Sequence, residues 1–401
     1  MKQQEMKLSA YSRFQCLAEQ CPMTCCQGLD IHVDPQTLQK WREFTDREES
    51  KRLLADTVHS ESNGNASVNM RRQDDEFCIA LSADGLCTIQ VRHGHDLLPQ
   101  NCRDYPRSVS ESDTRRLESL QLSCPEAVRL VLFDDADSPL FDHGSQRAAG
   151  ALSHFGYEST SLLLDEFVNT VLQSAKFPLN VKVLAISTAL TQLAILKEQG
   201  RLDQSAIDGL FKKAAGKLYE LNLAIKQGRI RPDPLTRGGY WRSIYRLALM
   251  KGASLIEPDL SDSKWHKLLS ECTDSDEDIK KIDNAFEAYW SSARAGLRDN
   301  YGKLLLRYFT VCLGNRGFPW KTSDLLRELT TFIHCVTKLS VIQLLCLIKQ
   351  HETGSLEHDF VYRLIYTVER KIDHLVPHSA LEKDPEKLKL QLYQACFSDL
   401  I

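Results

Sequence analysis

Eight of the thirteen cysteines fall within the first 124 residues: Cys16, Cys21, Cys25, Cys26, Cys78, Cys87, Cys102 and Cys124. Four of them form the tight run Cys16-x4-Cys21-x3-Cys25-Cys26. Thiolates bind soft metals and iron–sulfur clusters, so these eight are the candidate metal ligands. A zinc knuckle needs two thiols two to four residues apart, which Cys21-x3-Cys25 meets loosely. Cys78-x8-Cys87 is wider and must converge across a turn at Asp84-Gly85. Cys102 and Cys124 stand alone. Eight thiols suffice for two four-ligand sites, or for one four-cysteine cluster with accessory thiols, and spacing alone does not separate zinc from iron–sulfur. Successive side chains diverge, which gives Cys25 and Cys26 separate roles. Cys272, Cys312, Cys335, Cys346 and Cys396 are scattered. The last four lie in apolar helical contexts, where a thiol is ordinary core material.

These thiols need a fold to hold them. The chain has 401 residues, 42% hydrophobic and 26% charged, enough for a substantial core and two or three domains. The net charge of -4 leaves no global basic footprint for nucleic acid. Arg229, Arg231, Arg237, Arg242 and Arg246 gather near a Tyr and a Trp, but an arginine-rich helix start is commonly a solvated face. The polar N-terminus does not read as a signal peptide, and the longest apolar run, Val183 to Leu196, is interrupted by Ser187, Thr188, Thr191 and Gln192. We therefore expect a cytoplasmic protein without a membrane span. In that compartment clustered cysteines mean metal or redox chemistry more often than disulfides.

The fold class expected is mainly α. Residues 1–132 read as a cysteine-rich metal or iron–sulfur module, 133–150 as a linker, and 151–401 as an irregular all-α domain. In the first unit, Asp34-Pro35 starts a helix through Leu38, Trp41 and Phe44. Residues 60–67 read as a polar loop, and Glu126 to Phe133 as a helix after Pro125. Beyond 150, apolar residues follow helical spacing in Leu162–Leu172, Val183–Ile195 and Ile207–Leu221. Asp203 starts the third of these, and Gly200 and Gly228 are stops. Residues 229–240 form a Pro/Gly-rich break. Further helices are expected at about 241–250, 278–296, 299–313, 322–350, 356–374 and 386–399, with Thr322 and Ser323 as caps and the acidic run 273–278 as a solvated helix start.

The cysteine run, followed by Cys78, then Asp84-Gly85-Leu86-Cys87-x-Ile89-Gln90, then Cys102-Arg103-Asp104-Tyr105-Pro106-Arg107, resembles the CxxCxxCC-type zinc- or iron-chelating family. With Leu122-Ser123-Cys124-Pro125-Glu126-Ala127 and a helical tail of this length, the chain resembles the flagellin lysine-N-methylase family of motile bacteria. The motifs cover roughly the first third. The resemblance implies methyl transfer from S-adenosylmethionine to lysine side chains of flagellin, with flagellin docked on the helical domain. It also implies an iron–sulfur cluster, 4Fe-4S before zinc. A monomer is the expected state. The doubly wound methyltransferase signature is absent: Gly238-Gly239 is isolated, with no strand–helix alternation around it. The radical-enzyme spacing is half present, since Cys21 and Cys25 match but Gly28 stands at the third position.

On that footing the residues beside the cluster become candidates. Tyr105 and Asp104 are candidate catalytic groups for handling the lysine proton. Arg103 and Arg107 are candidates for the donor's carboxylate, which a guanidinium fork suits. His93 and His95 are further ligands or bases. The competing readings are a structural zinc module fused to a helical adaptor and a metal- or redox-sensing protein, neither with methyl transfer.

Overall fold

The computed structural model describes residues 4–28, 31–62, 65–73, 77–111, 115–134, 138–143, 157–227, 229, 233–250, 263–319 and 324–372. The expected helix at 386–399, the caps Thr322 and Ser323, the stop Gly228 and Cys396 lie outside these residues.

The chain is mainly helical, as expected, but its first third carries strands that the sequence did not announce. A four-stranded sheet has the order β6-β7-β1-β8, from β1 (Gln4–Leu8), β6 (Arg107–Glu111), β7 (Arg115–Leu120) and β8 (Phe141–His143). β1 runs parallel to β7, and the other two pairings are antiparallel. β8 lies within the stretch expected as a linker. The described part of 60–67 is not simply a loop: 60–62 and 65–67 belong to the hairpin of β2 (Thr57–Ser62) and β3 (Asn65–Met70). The hairpin's polar residues carry little apolar alternation, which is why the strands were hidden.

Between β1 and β6 the chain builds a small subdomain with its own core. Helix α1 (Pro35–Glu43) starts as expected, with the Asp34 carboxylate accepting from Thr37 N at 2.9 Å and Pro35 at the first helical position. Asp34 also accepts from Gln100 N at 2.9 Å, tying this helix to the later α4 (Gln100–Asp104). Helix α2 (Arg47–Ala55) is capped by Asp46. Trp41 is fully buried between them and donates to Leu97 O at 2.8 Å. Leu53, Met70, Ile89, Leu98, Cys26 and Cys78 complete this core.

The remaining core is continuous from the sheet into the helices. It joins Leu8, Phe14 and Leu120 to the helical body through Ile372. α5 (Pro125–Val128) continues into a π-helical turn over Arg129–Asp134, a variation on the expected helix. The body comprises α6 (Tyr157–Gln173), α7 (Leu179–Glu198), α8 (Gln204–Lys226), α9 (Pro234–Met250), α10 (Lys264–Glu271), α11 (Asp276–Asn315), α12 (Leu325–Thr353) and α13 (His358–Ile372). α7 and α12 are long and apolar enough to cross a membrane; 78% and 83% of their most apolar stretches are buried inside the protein. Both are central: α12 packs on α7, α9, α11 and α13.

Two expectations about breaks are corrected. The stretch 229–240 does not interrupt the helices throughout, because α9 begins inside it, with the Asp233 carboxylate accepting from Thr236 N at 3.0 Å. Gly238 sits where α9 crosses α11: a Cβ there would lie 2.4 Å from Ile279 O. The expected helices at 278–296 and 299–313 are one element of 40 residues, α11. Gly296 costs intrinsic helix stability, but a Cβ there would come within 3.2 Å of Gln350 on α12, and tertiary packing outweighs propensity.

The sheet is fastened to the body at several points. Arg115 of β7 forms a buried ion pair with Asp165 of α6. Asn315 of α11 donates to Leu120 O at 2.9 Å, and Arg307 donates to Val131 O at 3.1 Å.

Candidate functional site

The subdomain brings Cys25, Cys26, Cys78 and Cys87 together. Cys78 N donates to Cys26 O at 2.8 Å, and the adjacent Gln27–Phe77 bridge extends that contact. A Leu81–Cys87 bridge closes the turn at Asp84-Gly85 and returns Cys87 to the same place. Cys87 stands at the N-cap position of α3 (Thr88–His93), beside the first-turn N–H groups of Ile89 and Gln90. The Cys26 thiol lies at the centre, hydrogen-bonded to Cys25, Cys78 and Cys87. Cys102 of α4 stands beside this group.

The sulfurs are electrostatically unequal. The hydrogen bond from Cys26 lowers Cys87 to about 6 against the cost of burial, helped by the α3 N–H groups and Arg52. The same thiol lowers Cys25 to about 7, again against burial, with the Arg370 charge assisting. Cys78 is lowered by Cys26 too. Cys26 is raised, first by its contact with Cys25. Burial raises Cys102. The Cys26 proton favours the thiolate form of whichever neighbouring sulfur accepts it.

Cys16, Cys21 and Cys124 form a second neighbourhood. Cys21 donates to Met23 O at 2.9 Å. Cys124 caps α5, and burial pushes its thiol up to about 12 while Cys21 and Cys16 add repulsion. Burial also raises Cys21, with Cys16 and Cys25 adding to it. All twelve described cysteines are free thiols. Among the described residues, no group of three or more His, Cys, Asp and Glu side chains is set to hold a metal ion. The sulfurs of the first group meet instead through hydrogen bonds.

A cavity of about 370 Å³ opens beside the first group. Cys25, Cys26, Cys87 and Cys102 form one wall; Tyr105, Gln121 and Ser123 form another; Glu369 and Arg370 of α13 close it from the helical body. The size falls within the range of ligand cavities, roughly 300–1,000 Å³. Tyr105 shares a hydrogen bond with Ser123 Oγ at 3.1 Å, and burial raises its phenol, so it presents a neutral hydroxyl. Glu369 is held by Tyr308 Oη at 2.6 Å and Lys338 Nζ at 2.9 Å. Arg370 donates to Thr24 O at 2.8 Å and to Gln27 O, clamping the loop that carries Cys25 and Cys26.

Of the six non-cysteine candidates, only Tyr105 lines the cavity. Asp104 accepts from Gln100 Nε2 at 2.8 Å on the exposed side of α4. Arg103 donates to Asp96 O at 3.2 Å. Arg107 donates to Phe14 O at 3.0 Å and lies over the Tyr11 and Phe14 rings. His93 is bonded to Glu49 at 2.8 Å, and His95 lies 3.3 Å from Gln90. Sequence reasoning missed Glu369 and Arg370. The available signal was two charges within the apolar face of α13, where Val361, Ile365 and Glu369 succeed one another at i, i+4 spacing.

Among known proteins, the family signal lies in the helical body rather than in the cysteine motifs. A family model described as the FliB lysine N-methylase C-terminal domain matches residues 165–380, which include Glu369 and Arg370. Lysine-N-methylases of Salmonella choleraesuis (strain SC-B67) and Salmonella typhimurium (strain LT2) are each 24% identical over 392 residues, covering 90% of this chain and 90% of the relative. The flagellar biosynthetic protein FliU of Salmonella muenchen is 26% identical over 126 residues, 31% of this chain and 73% of that protein. No solved structure matches. With a family model spanning more than half of it, the chain belongs to the FliB lysine N-methylase family.

Proposed function

We propose that this protein transfers methyl groups from S-adenosylmethionine to lysine side chains of flagellin, using an iron–sulfur cluster held by the N-terminal cysteines. Family membership supports lysine methylation, and the flagellar names of relatives support the substrate. The observation that carries the site is the cavity walled by thiols on one side and by a cation and a buried phenol on the other.

The donor types suit a soft centre, although the described side chains are not set around one ion. Cys25, Cys26, Cys78 and Cys87 meet from three chain segments, and Cys25 and Cys87 are already poised as thiolates near neutral pH. A cluster has several irons, so the adjacent Cys25 and Cys26 need not share one ion. These four would hold it, with Cys102 at the rim, and Cys16, Cys21 and Cys124 as accessory thiols. When bound, the group supplies Lewis-acidic iron beside the cavity.

The chain's own residues supply the remaining demands. A lysine amine must be neutral to attack, while its free pKa is about 10.4. Partial burial in the cavity, next to the Arg370 charge, disfavours the ammonium form. The Tyr105 hydroxyl, held by Ser123, accepts a hydrogen bond from the amine and aims its lone pair. As a neutral phenol it orients rather than deprotonates. Thiolate charge on the facing wall offsets the positive sulfonium.

The test is anaerobic purification with metal analysis, then mass spectrometry of flagellin after incubation with S-adenosylmethionine. Iron and sulfide in the protein and 14 Da increments (about, per methyl group transferred) on flagellin lysines are expected. A colourless protein with stoichiometric zinc and unmodified flagellin would establish the adaptor reading instead.

A further inference from the structure

Arg370 is a charge that the protein leaves incomplete. Its side chain is buried, with 5% of the residue exposed, and Nη2 alone makes its hydrogen bonds, both to neutral carbonyls. Nη1 is buried and has no hydrogen-bond partner. The neighbouring carboxylate, Glu369, is occupied by Lys338 and Tyr308. A buried guanidinium with an idle donor is costly unless an anion completes it. Arg370 also borders the cavity, which places a ligand there beside this side chain.

We propose that Arg370 binds the carboxylate of the methyl donor's amino-acid portion, at the α13 side of the cavity. This rests on the reading of the cavity as the S-adenosylmethionine site. The two molecules that must meet there differ in charge: a substrate lysine offers a neutral amine or an ammonium, and Arg370 repels the latter, whereas the donor's one anionic group is its carboxylate. The guanidinium fork suits a planar carboxylate, and a charge-assisted bond is among the stronger contacts a ligand can gain. Because Nη2 already anchors the Cys25–Cys26 loop, the same side chain joins the donor's acid end to the thiol wall. Arg370 therefore takes the role that Arg103 and Arg107, both outside the cavity lining, do not fill.

The experiment measures equilibrium binding of S-adenosylmethionine and of its decarboxylated analogue to the wild-type protein as purified anaerobically, to Arg370→Lys and to Arg370→Gln. Metal content and thermal melts verify each variant's fold. Wild-type protein should favour S-adenosylmethionine over the analogue by about 10- to 100-fold. Arg370→Gln should weaken S-adenosylmethionine far more than the analogue and bring the ratio of the two affinities near one. Arg370→Lys, which keeps the charge and can still reach a loop carbonyl, should retain part of it, and it carries the test should the Gln variant not fold. Equal binding of both ligands to wild type, or equal weakening of both by either variant, would overturn the proposal and leave Arg370 as a loop clamp only. If wild-type protein binds neither ligand, the donor-site reading itself falls, and the proposal with it.

Discussion

Cys87 and Cys312 are the same residue type in opposite states. Cys87 stands at a helix start, where a neighbouring thiol and backbone N–H groups lower it to about 6. Cys312 lies inside the helical body, raised well above its ordinary value first by burial and then by Cys335 across the α11–α12 contact. Cys335 and Cys346 are likewise completely buried. The difference lies in the donors around each sulfur. The subdomain's short elements end at its cysteines and expose N–H groups to them, whereas long helices spend those groups internally.

The comparison can be broken most sharply by substitution. Cys26→Ser should remove bound metal and lower flagellin methylation by at least about 100-fold, since even contacts outside a metal's ligands cost 10- to 100-fold. Cys335→Ala should leave both intact and cost only about 1 kcal/mol of stability. Metal analysis, mass spectrometry and denaturant titration of the two variants read these outcomes.

Alkylation offers a second contrast. In metal-free folded protein, iodoacetamide should label Cys87 and Cys25 on the order of 100-fold faster at pH 7 than Cys312 or Cys346. The rate at Cys87 should rise through about pH 6 and at Cys25 through about pH 7, because lowered thiols become thiolates as pH climbs past those values. Peptide mapping across pH gives the curves. Comparable labelling of Cys312 would show that the helical thiols are not shielded.

The two cores differ in how they carry charge. Lys338 and Glu369 are both nearly fully buried, so Lys338→Met should strand the carboxylate and cost about 3–5 kcal/mol in urea unfolding. Asp34→Ala, at the more exposed start of α1, should cost about 1 kcal/mol. Burial opposes the Asp34 carboxylate, but Thr37 and Gln100 outweigh it and hold the group at about 2 in the folded state, below its ordinary 3.8. Its contribution is therefore complete above pH 3.8 and fades as pH falls toward 2, so wild type and variant should converge there.

The helices of the body were legible because apolar residues repeat at helical spacing, as in Ile207, Leu210, Phe211, Ala214 and Leu218. The start of α1 was legible from Asp34-Pro35 because capping is local chemistry. The sheet was not: β1 and β7 pair across more than a hundred residues, and neither shows a long alternating pattern. The thiols announced themselves by density, but their division into Cys25, Cys26, Cys78 and Cys87 against Cys16, Cys21 and Cys124 depends on how loops return. Arg370 was illegible for the same reason, since its partners Thr24 and Gln27 stand at the other end of the chain.

That clasp between the chain's beginning and its far helix sets an order of events during synthesis. The cysteine loop leaves the ribosome early and must wait for some 340 further residues before α13 arrives to shut the chamber. Until then the loop lacks the clasp that ties Thr24 and Gln27 to Arg370. The length of chain between them thus sets how long the loop stands without it.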